Sequence, residues 1–352
     1  MSLKAIVFND TSYDDHHGCQ LVMQQLGKLA GETGIKITRF VPMRHKWFSD
    51  THLRRDIDST DLCIINGEGT MHGACEAALN YIRLAIHCRE RGVPCFLINS
   101  VWQNNTSLVD GAKAFTGIFV RDMHSQAELR QGGIEAKVVP DLTLSYEWPE
   151  ELQRLRCGYI VNGSVLQGRL DEAWRTVCNS DLRELRYLSI RTLPPLQWGK
   201  GFPSYVPRNL VRRYKQCRHL FSSYFRKFPA ELDKRGLSRL RWRYAVLSTP
   251  AFLQTLSGAE GVITGRFHCV TLCMVTRTPF LALSSNTFKI EGLLAEAGLI
   301  NRLCASYEEG VARRTDMSFS STELDALEVF LVSARRRARE MFAAMASASA
   351  SR

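Results

Sequence analysis

The chain has 352 residues, 45% of them hydrophobic and 23% charged, with a formal net charge of +11. Such a length exceeds one comfortable core and suits two domains of roughly 150 residues each, and the composition excludes a disordered chain. No run of about 18 apolar residues occurs, which excludes a transmembrane helix, and the apolar stretch Ala5-Ile6-Val7-Phe8 is too short for the core of a signal peptide. Eleven cysteines, odd in number and without a CxxC pair, are expected to be reduced core residues of a cytoplasmic protein.

Taken in chain order, short apolar runs predict strands over 4–8, 36–41, 61–65, 94–98, 117–120 and 136–139. Helical patterns fall between them over 18–31, 72–91 and 124–131. This alternation implies an α/β fold with a parallel, doubly wound sheet. The strands stop in polar residues: Asn9-Asp10, Asn66-Gly67-Glu68-Gly69, Asn99-Ser100, Arg121-Asp122 and Pro140-Asp141. Ligands bind outside the carboxyl ends of such strands, so these clusters together predict a binding face.

The pattern breaks at Trp148-Pro149-Glu150-Glu151, a linker between Rossmann-like domains expected over 1–147 and 148–320. The second domain is predicted to hold strands over 158–161, 186–190, 244–247, 261–264 and 280–283. Helices are expected over 171–177, 250–256, 268–275 and 288–297. A last helix begins near Ser321, and the Ala/Ser tail after Ala346 is expected to fray, so 321–352 is set apart as a C-terminal helix and frayed tail.

Nearly all the net charge lies in a helical insertion at about 207–243, where twelve Lys and Arg residues meet only Glu231 and Asp233. Three readings are open: a solvated helical face, docking to anionic lipid headgroups or a lipid-linked sugar pyrophosphate, and single-stranded nucleic acid. The interleaved aromatics Tyr214, Phe221, Tyr224, Phe225 and Trp242 suit an interfacial helix. The near-neutral remainder and the lack of an RNA-binding motif argue against a nucleic-acid partner. The prediction is peripheral association with the inner face of a membrane.

The sharpest local signal is Gly261-Val-Ile-Thr-Gly265-Arg266-Phe267-His268, followed by Pro279, Asn286 and Lys289. A strand ending in a glycine turn puts Arg266 and His268 at a helix start, where free N–H groups and the helix dipole hold phosphate or carboxylate. Arg266 adds a bidentate fork, Lys289 a second cation, and His268 a group able to carry a proton near neutral pH. Other signals are weaker. Gly67-Glu-Gly69-Thr-Met-His-Gly73 is one residue off the dinucleotide fingerprint. Asp14-Asp15-His16-His17 has adjacent histidines that point apart, and Asp56-Ile57-Asp58 sits in a charged helical stretch, so no metal is expected.

The Gly-Arg-Phe-His run at 265–268, the upstream Arg121-Asp122-x-x-Ser125 and Pro140-Asp141-Leu-Thr143, and the loop Asn66-Gly-Glu-Gly-Thr70 together resemble the polysaccharide pyruvyltransferase family. The resemblance implies a GT-B-like pair of Rossmann domains facing a cleft. It also implies transfer of the enolpyruvyl group of phosphoenolpyruvate to a sugar hydroxyl pair of a cell-surface glycan or its lipid-linked precursor, giving a pyruvate ketal. Phosphoenolpyruvate would be a co-substrate, with no resident cofactor. His268 would act as acid/base with Arg266 and Glu68, Asp10 and His72 being alternative partners to Glu68. Gly265, Arg266, Phe267, His268, Asn286 and Lys289 would bind the donor. Asn9, Asp10, His17, Gly67, Gly69, Thr70, His72 and Arg121 would line the acceptor side. Two alternatives stay open: a GT-B glycosyltransferase using a nucleotide sugar, and a non-catalytic glycan-binding protein on the same fold.

Overall fold

A computed structural model describes residues 2–149, 155–191 and 247–350, apart from 13, 15, 44 and 183. The predicted linker end, the strand over 244–247 and the whole basic segment at 207–243 lie outside the described residues, save for Leu247.

The N-terminal half forms a six-stranded sheet ordered β2-β1-β3-β4-β5-β6. Its strands are β1 (Leu3–Asp10), β2 (Ile35–Pro42), β3 (Leu62–Asn66), β4 (Cys95–Ser100), β5 (Gly117–Val120) and β6 (Lys137–Val138). Every pairing is parallel. The central strands are apolar at almost every position because helices cover both faces. Ala5, Val7, Leu62, Ile64, Phe96 and Ile98 pack on one face against α1 (His17–Glu32). Their alternates Ile6, Phe8, Cys63, Ile65, Cys95 and Leu97 pack on the other, against α2 (Thr51–Ser59) and α3 (Glu76–Glu90). α4 (Val109–Ala112) and α5 (Met123–Gln131) complete this half.

α3 starts later than the apolar pattern suggests. Gly73 (φ 61°) and Ala74 (φ 46°) are left-handed, and the Asn105 side chain accepts the Ala74 N–H at 2.8 Å. The left-handed backbone ends any helical path there, leaving His72 in an exposed loop.

The second sheet has four parallel strands ordered β10-β9-β7-β8: β7 (Tyr159–Ser164), β8 (Leu185–Tyr187), β9 (Gly261–Gly265) and β10 (Phe280–Ala282). Strand β8 is shorter than the predicted run over 186–190. Around the sheet stand α6 (Gln167–Asn179), α7 (Thr249–Ser257), α8 (Phe267–Val275), α9 (Lys289–Glu296) and α10 (Tyr307–Ala312).

The last helix, α11 (Ser321–Ala350), carries a stripe at 327, 331, 334, 338, 341 and 345, the spacing of one helical face. Leu327, Leu331 and Ala334 join the core of the second domain, and Ala338, Met341 and Met345 join a face of the first. Each large apolar side chain buried there stabilises by about 1.5–3 kcal/mol. The expected fraying is not seen: the helix runs to Ala350, and buried Ser349 donates its hydroxyl to the Met345 carbonyl at 2.8 Å. Met345 and Ala346 pack on the first domain's core and hold the small-residue tail in place.

Candidate active site at the domain seam

The carboxyl ends of β1, β3, β4 and β5 face the start of α8. Much of the polar edge predicted as a binding face is scaffold. Asn9, Asn66 and Asn99 are buried and tie the strand ends to one another. Asn9 Nδ2 donates to the Asn66 carbonyl at 2.6 Å, and Asn99 Nδ2 to Asn66 Oδ1 at 3.2 Å. Asn99 Oδ1 accepts the Leu142 N–H at 3.2 Å. Both Asn9 (φ 62°) and Asn99 (φ 52°) are left-handed, a conformation asparagine tolerates better than most residues.

Helix α8 is buried on every side, so it sits wedged between the domains rather than on a surface. Its first turn delivers His268. Arg266 is the N-cap residue, its N–H held by Thr264 Oγ1 at 3.0 Å. The turn before it is tight: Gly265 donates its N–H to the Tyr307 hydroxyl at 3.1 Å, and a Cβ there would lie 2.9 Å from that of Ser164. Across the seam Gly18, in the first turn of α1, makes room for the imidazole. A Cβ on Gly18 would stand 2.3 Å from His268 Cγ.

His268 Nε2 points between two buried carboxylates, 3.3 Å from Glu68 Oε1 and 3.6 Å from Asp141 Oδ2. Neither approach has hydrogen-bond geometry, so the nitrogen is buried and near negative charge, yet unpartnered among the described residues. Glu68 is itself held from three sides. Thr11 Oγ1 and Asn66 Nδ2 donate to its Oε2 at 3.0 and 3.4 Å, and the Cys19 thiol donates to its Oε1 at 3.0 Å. Asp141 accepts from Arg121 Nη1 at 2.8 Å and from the Thr143 hydroxyl at 2.6 Å. Burial pushes the Asp141 carboxyl up, but His268, Arg121 and Thr143 together outweigh it and hold the group well below the usual carboxylate range. The Thr143 hydroxyl also lies 2.7 Å from Thr271 Oγ1 of α8, a hydroxyl–hydroxyl contact that stitches the two domains beside the site.

Three cations converge on the same place. The Arg121 guanidinium lies 4.9 Å from the Phe267 ring centroid, a cation–π contact across the seam. Lys289 Nζ donates to Asn286 Oδ1 at 3.3 Å. Burial first, then the charges of Arg121 and Arg266, lower the Lys289 pKa to about 8, against the pull of Glu68 and Asp141. An ammonium lowered by burial and by two neighbouring guanidiniums marks a strongly cationic seam.

His268, Arg266, Phe267, Lys289, Asn286, Gly265, Glu68 and Arg121 are thus brought to one seam. Other predicted residues fall elsewhere. Asp10 Oδ1 accepts the Ser12 N–H at 2.9 Å and edges a separate cavity of about 620 Å³ with Gln20, Gln24, Arg39 and His45. His17 is wholly buried, stacked on Phe252 at 4.3 Å and hydrogen-bonded to Thr249 Oγ1 at 3.0 Å, with burial lowering its pKa to about 3. It packs the interdomain core and is shut off from an acceptor. Gly67 serves close packing, since a Cβ there would meet Ser100 at 2.4 Å, and Thr70 donates its hydroxyl to the Gly67 carbonyl at 3.1 Å. Exposed Gly69 (φ 65°) turns the same loop. The Arg121-Asp122-x-x-Ser125 run divides its labour: Arg121 faces the seam, whereas Asp122 caps α5 by accepting the Ser125 N–H at 2.8 Å.

Sequence reasoning put Asp141 on the binding face without a chemical role, set His16 aside as a metal ligand and gave Cys19 no role. Asp141 stood in the Pro140-Asp141 strand end, a signal that was there to be used. His16 packs edge-on to His268 with ring centroids 5.1 Å apart. Burial, then the charges of His268 and Arg266, hold its pKa well below the usual range.

Two parallel-sheet α/β domains clasping a cationic, histidine-bearing seam define a GT-B architecture. A comparison with solved structures agrees on the fold. A putative UDP-N-acetylglucosamine 2-epimerase from Listeria monocytogenes is 9% identical, covering 93% of this chain and 91% of its own, with a TM-score of 0.50. A functional uncharacterized protein from Klebsiella pneumoniae is 12% identical over 86% of this chain and 92% of its own, at 0.47. MurG of Acinetobacter baumannii is 11% identical over 96% and 95%, at 0.45. At 9% identity the likeness to the Listeria protein speaks for the fold alone. The comparison with curated proteins gave no significant match. The chain belongs to the polysaccharide pyruvyl transferase family, whose model matches residues 16–287.

Proposed function

We propose that the protein transfers a pyruvyl group from phosphoenolpyruvate to two hydroxyls of a sugar. One observation carries the reading: Arg121, Arg266 and Lys289 converge beside a buried histidine that faces two carboxylates. Phosphoenolpyruvate brings a phosphate and a carboxylate, and three cations suit both. Arg121, expected on the acceptor side, belongs in this reading with the donor.

The reaction forms bonds from two sugar oxygens to C2 of the donor, breaks the C2–O bond to phosphate and adds a proton at the methylene carbon. Of the two hydroxyl protons, one ends on the new methyl group and the other on phosphate. His268 is the group that moves them. Glu68 and Asp141 flank its Nε2 at 3.3 and 3.6 Å, while Arg121 and Thr143 keep Asp141 ionised. The fixed cations stabilise the departing phosphate.

The acceptor in this reading is a cell-surface glycan or its lipid-linked precursor, met at the inner face of a membrane through the segment at 207–243. No helix among the described residues is long and apolar enough to cross a membrane. Co-sedimentation with anionic vesicles, lost in high salt, tests the attachment, and indifference to lipid charge would remove it. For the donor, thermal stabilisation by phosphoenolpyruvate is measured against a panel of nucleotides and nucleotide sugars, because a ligand bound to the native state raises the melting temperature. A shift with phosphoenolpyruvate that disappears in Arg266→Ala supports pyruvyl transfer. A shift with nucleotide sugars alone overturns it.

A further inference from the structure

We propose that His16, Cys19 and His268 form a binding site for a thiophilic divalent cation, Zn²⁺ in the first instance. One donor atom from each lies within 4.8 Å of the others. Glu68 Oε1 lies beside two of them, 3.0 Å from the Cys19 sulfur and 3.3 Å from His268 Nε2. A tetrahedral zinc site with metal–sulfur and metal–nitrogen bonds of about 2.3 and 2.0 Å sets its donors about 3.3–3.6 Å apart. The side chains therefore have to draw together by about 1 Å, a rotamer adjustment rather than a rearrangement of the backbone.

A second observation points to a ligand independently of the cluster. His268 Nε2 is aimed into this space from a residue only 9% exposed, with the Glu68 and Asp141 carboxylates 3.3 and 3.6 Å away but no well-formed hydrogen bond among the described residues. A buried nitrogen left unpartnered costs free energy, and a metal takes up its lone pair directly. The donor set selects the metal: a thiolate and two imidazoles suit zinc and its borderline neighbours and do not suit Mg²⁺ or Ca²⁺.

Proton bookkeeping is simple. The Cys19 thiol gives up its proton to solvent as the sulfur binds the metal, which frees the Glu68 oxygen that had accepted it. His16 Nδ1 now accepts the Gly18 N–H at 3.2 Å, so metal binding competes with that helix cap. His16 and Cys19 belong to the start of α1 and His268 to the start of α8, so the metal would pin the two domains together. The site shares His268 with the proposed chemistry, but the observations behind it do not depend on that reading. Only its corollary, that zinc silences His268 as an acid/base, rests on that reading.

The test uses the full chain, freed of metal by dialysis and titrated with Co²⁺ as a spectroscopic probe for zinc. The expected result is a thiolate-to-cobalt charge-transfer band saturating at one equivalent and bleached by Zn²⁺. The band should vanish in Cys19→Ser and persist in Cys157→Ser, which removes an exposed cysteine. In the wild-type protein, stoichiometric Zn²⁺ should slow alkylation of half-buried Cys19 at least tenfold, mapped by mass spectrometry, whether or not the serine variant folds. No band in folded protein, a band that survives in Cys19→Ser, or alkylation of Cys19 that ignores zinc would each overturn the site. Since none of these readouts involves phosphoenolpyruvate, they leave the pyruvyl-transfer reading to its own test.

Discussion

Gly18→Ala should displace the catalytic histidine candidate without touching it in the sequence. The added methyl would sit 2.3 Å from His268 Cγ, 2.4 Å from its Cβ and 2.7 Å from its Nδ1, whereas ordinary contacts begin near 3.4 Å. Cβ and Cγ lie close to the backbone of a helix buried on all sides, so the clash cannot be relieved at the tip of a flexible chain. Either the imidazole or the seam must retreat by about 1 Å, and misplacement on that scale costs about a hundredfold in rate. Overpacking of this kind destabilises by about 1–3 kcal/mol, against at most about 1 kcal/mol of helix propensity gained from alanine. Gly27, in the same helix, is the internal control. A Cβ there meets nothing within 4 Å, so Gly27→Ala should stabilise by about 0.5–1 kcal/mol. Denaturant melts of both variants should therefore move in opposite directions. In a His268→Gly background the overlapping atoms are gone, and the Gly18→Ala penalty should disappear as a coupling energy of about 1–3 kcal/mol. A Gly18→Ala penalty of the same size in both backgrounds, or a gain like that of Gly27→Ala, would refute the steric account.

Lys289, with a pKa lowered to about 8, is charged below that value and loses its charge above it, so kcat/KM for phosphoenolpyruvate should fall as pH rises through about 8. Lys289→Met should weaken donor binding roughly tenfold or more and abolish that alkaline limb. Asp141→Asn keeps the shape of the site but not the charge beside His268, and should lower kcat by about 10²–10⁴ while the phosphoenolpyruvate-induced thermal shift persists. Far from the site, Arg302 donates to both carboxylate oxygens of Glu323 at 2.7 and 2.6 Å and lowers its pKa to about 2. A depressed carboxylate stabilises the fold above its unfolded value and is lost as pH falls toward about 2. Stability should therefore drop by about 1–3 kcal/mol between roughly pH 5 and 2, and Glu323→Gln should flatten that slope in acid denaturation.

The central strands were legible because they are short apolar runs ending in polar residues, and a strand buried on both faces has no other way to be written. His268 and Arg266 were legible because a strand, a glycine turn and a helix start are local. What escaped was set by contacts distant in sequence. His17 looks polar and available, but Phe252, more than two hundred residues on, covers it. Cys19 gives no sign that its thiol meets Glu68, and Asn9 reads the same whether it binds a sugar or a neighbouring strand. The helix over 72–91 was overextended because the left-handed turn at Gly73-Ala74 is pinned by Asn105, a partner the local pattern does not contain.

The split stripe of α11 has a thermodynamic consequence. Its first half completes one domain's core and its second half roofs the other, so unfolding either domain strips apolar cover from both. The two domains, though each has its own sheet, should lose structure together in one calorimetric transition rather than melt in sequence. Replacing Leu331 and Phe342 by alanine one at a time should each lower that shared midpoint, even though the two side chains belong to different cores.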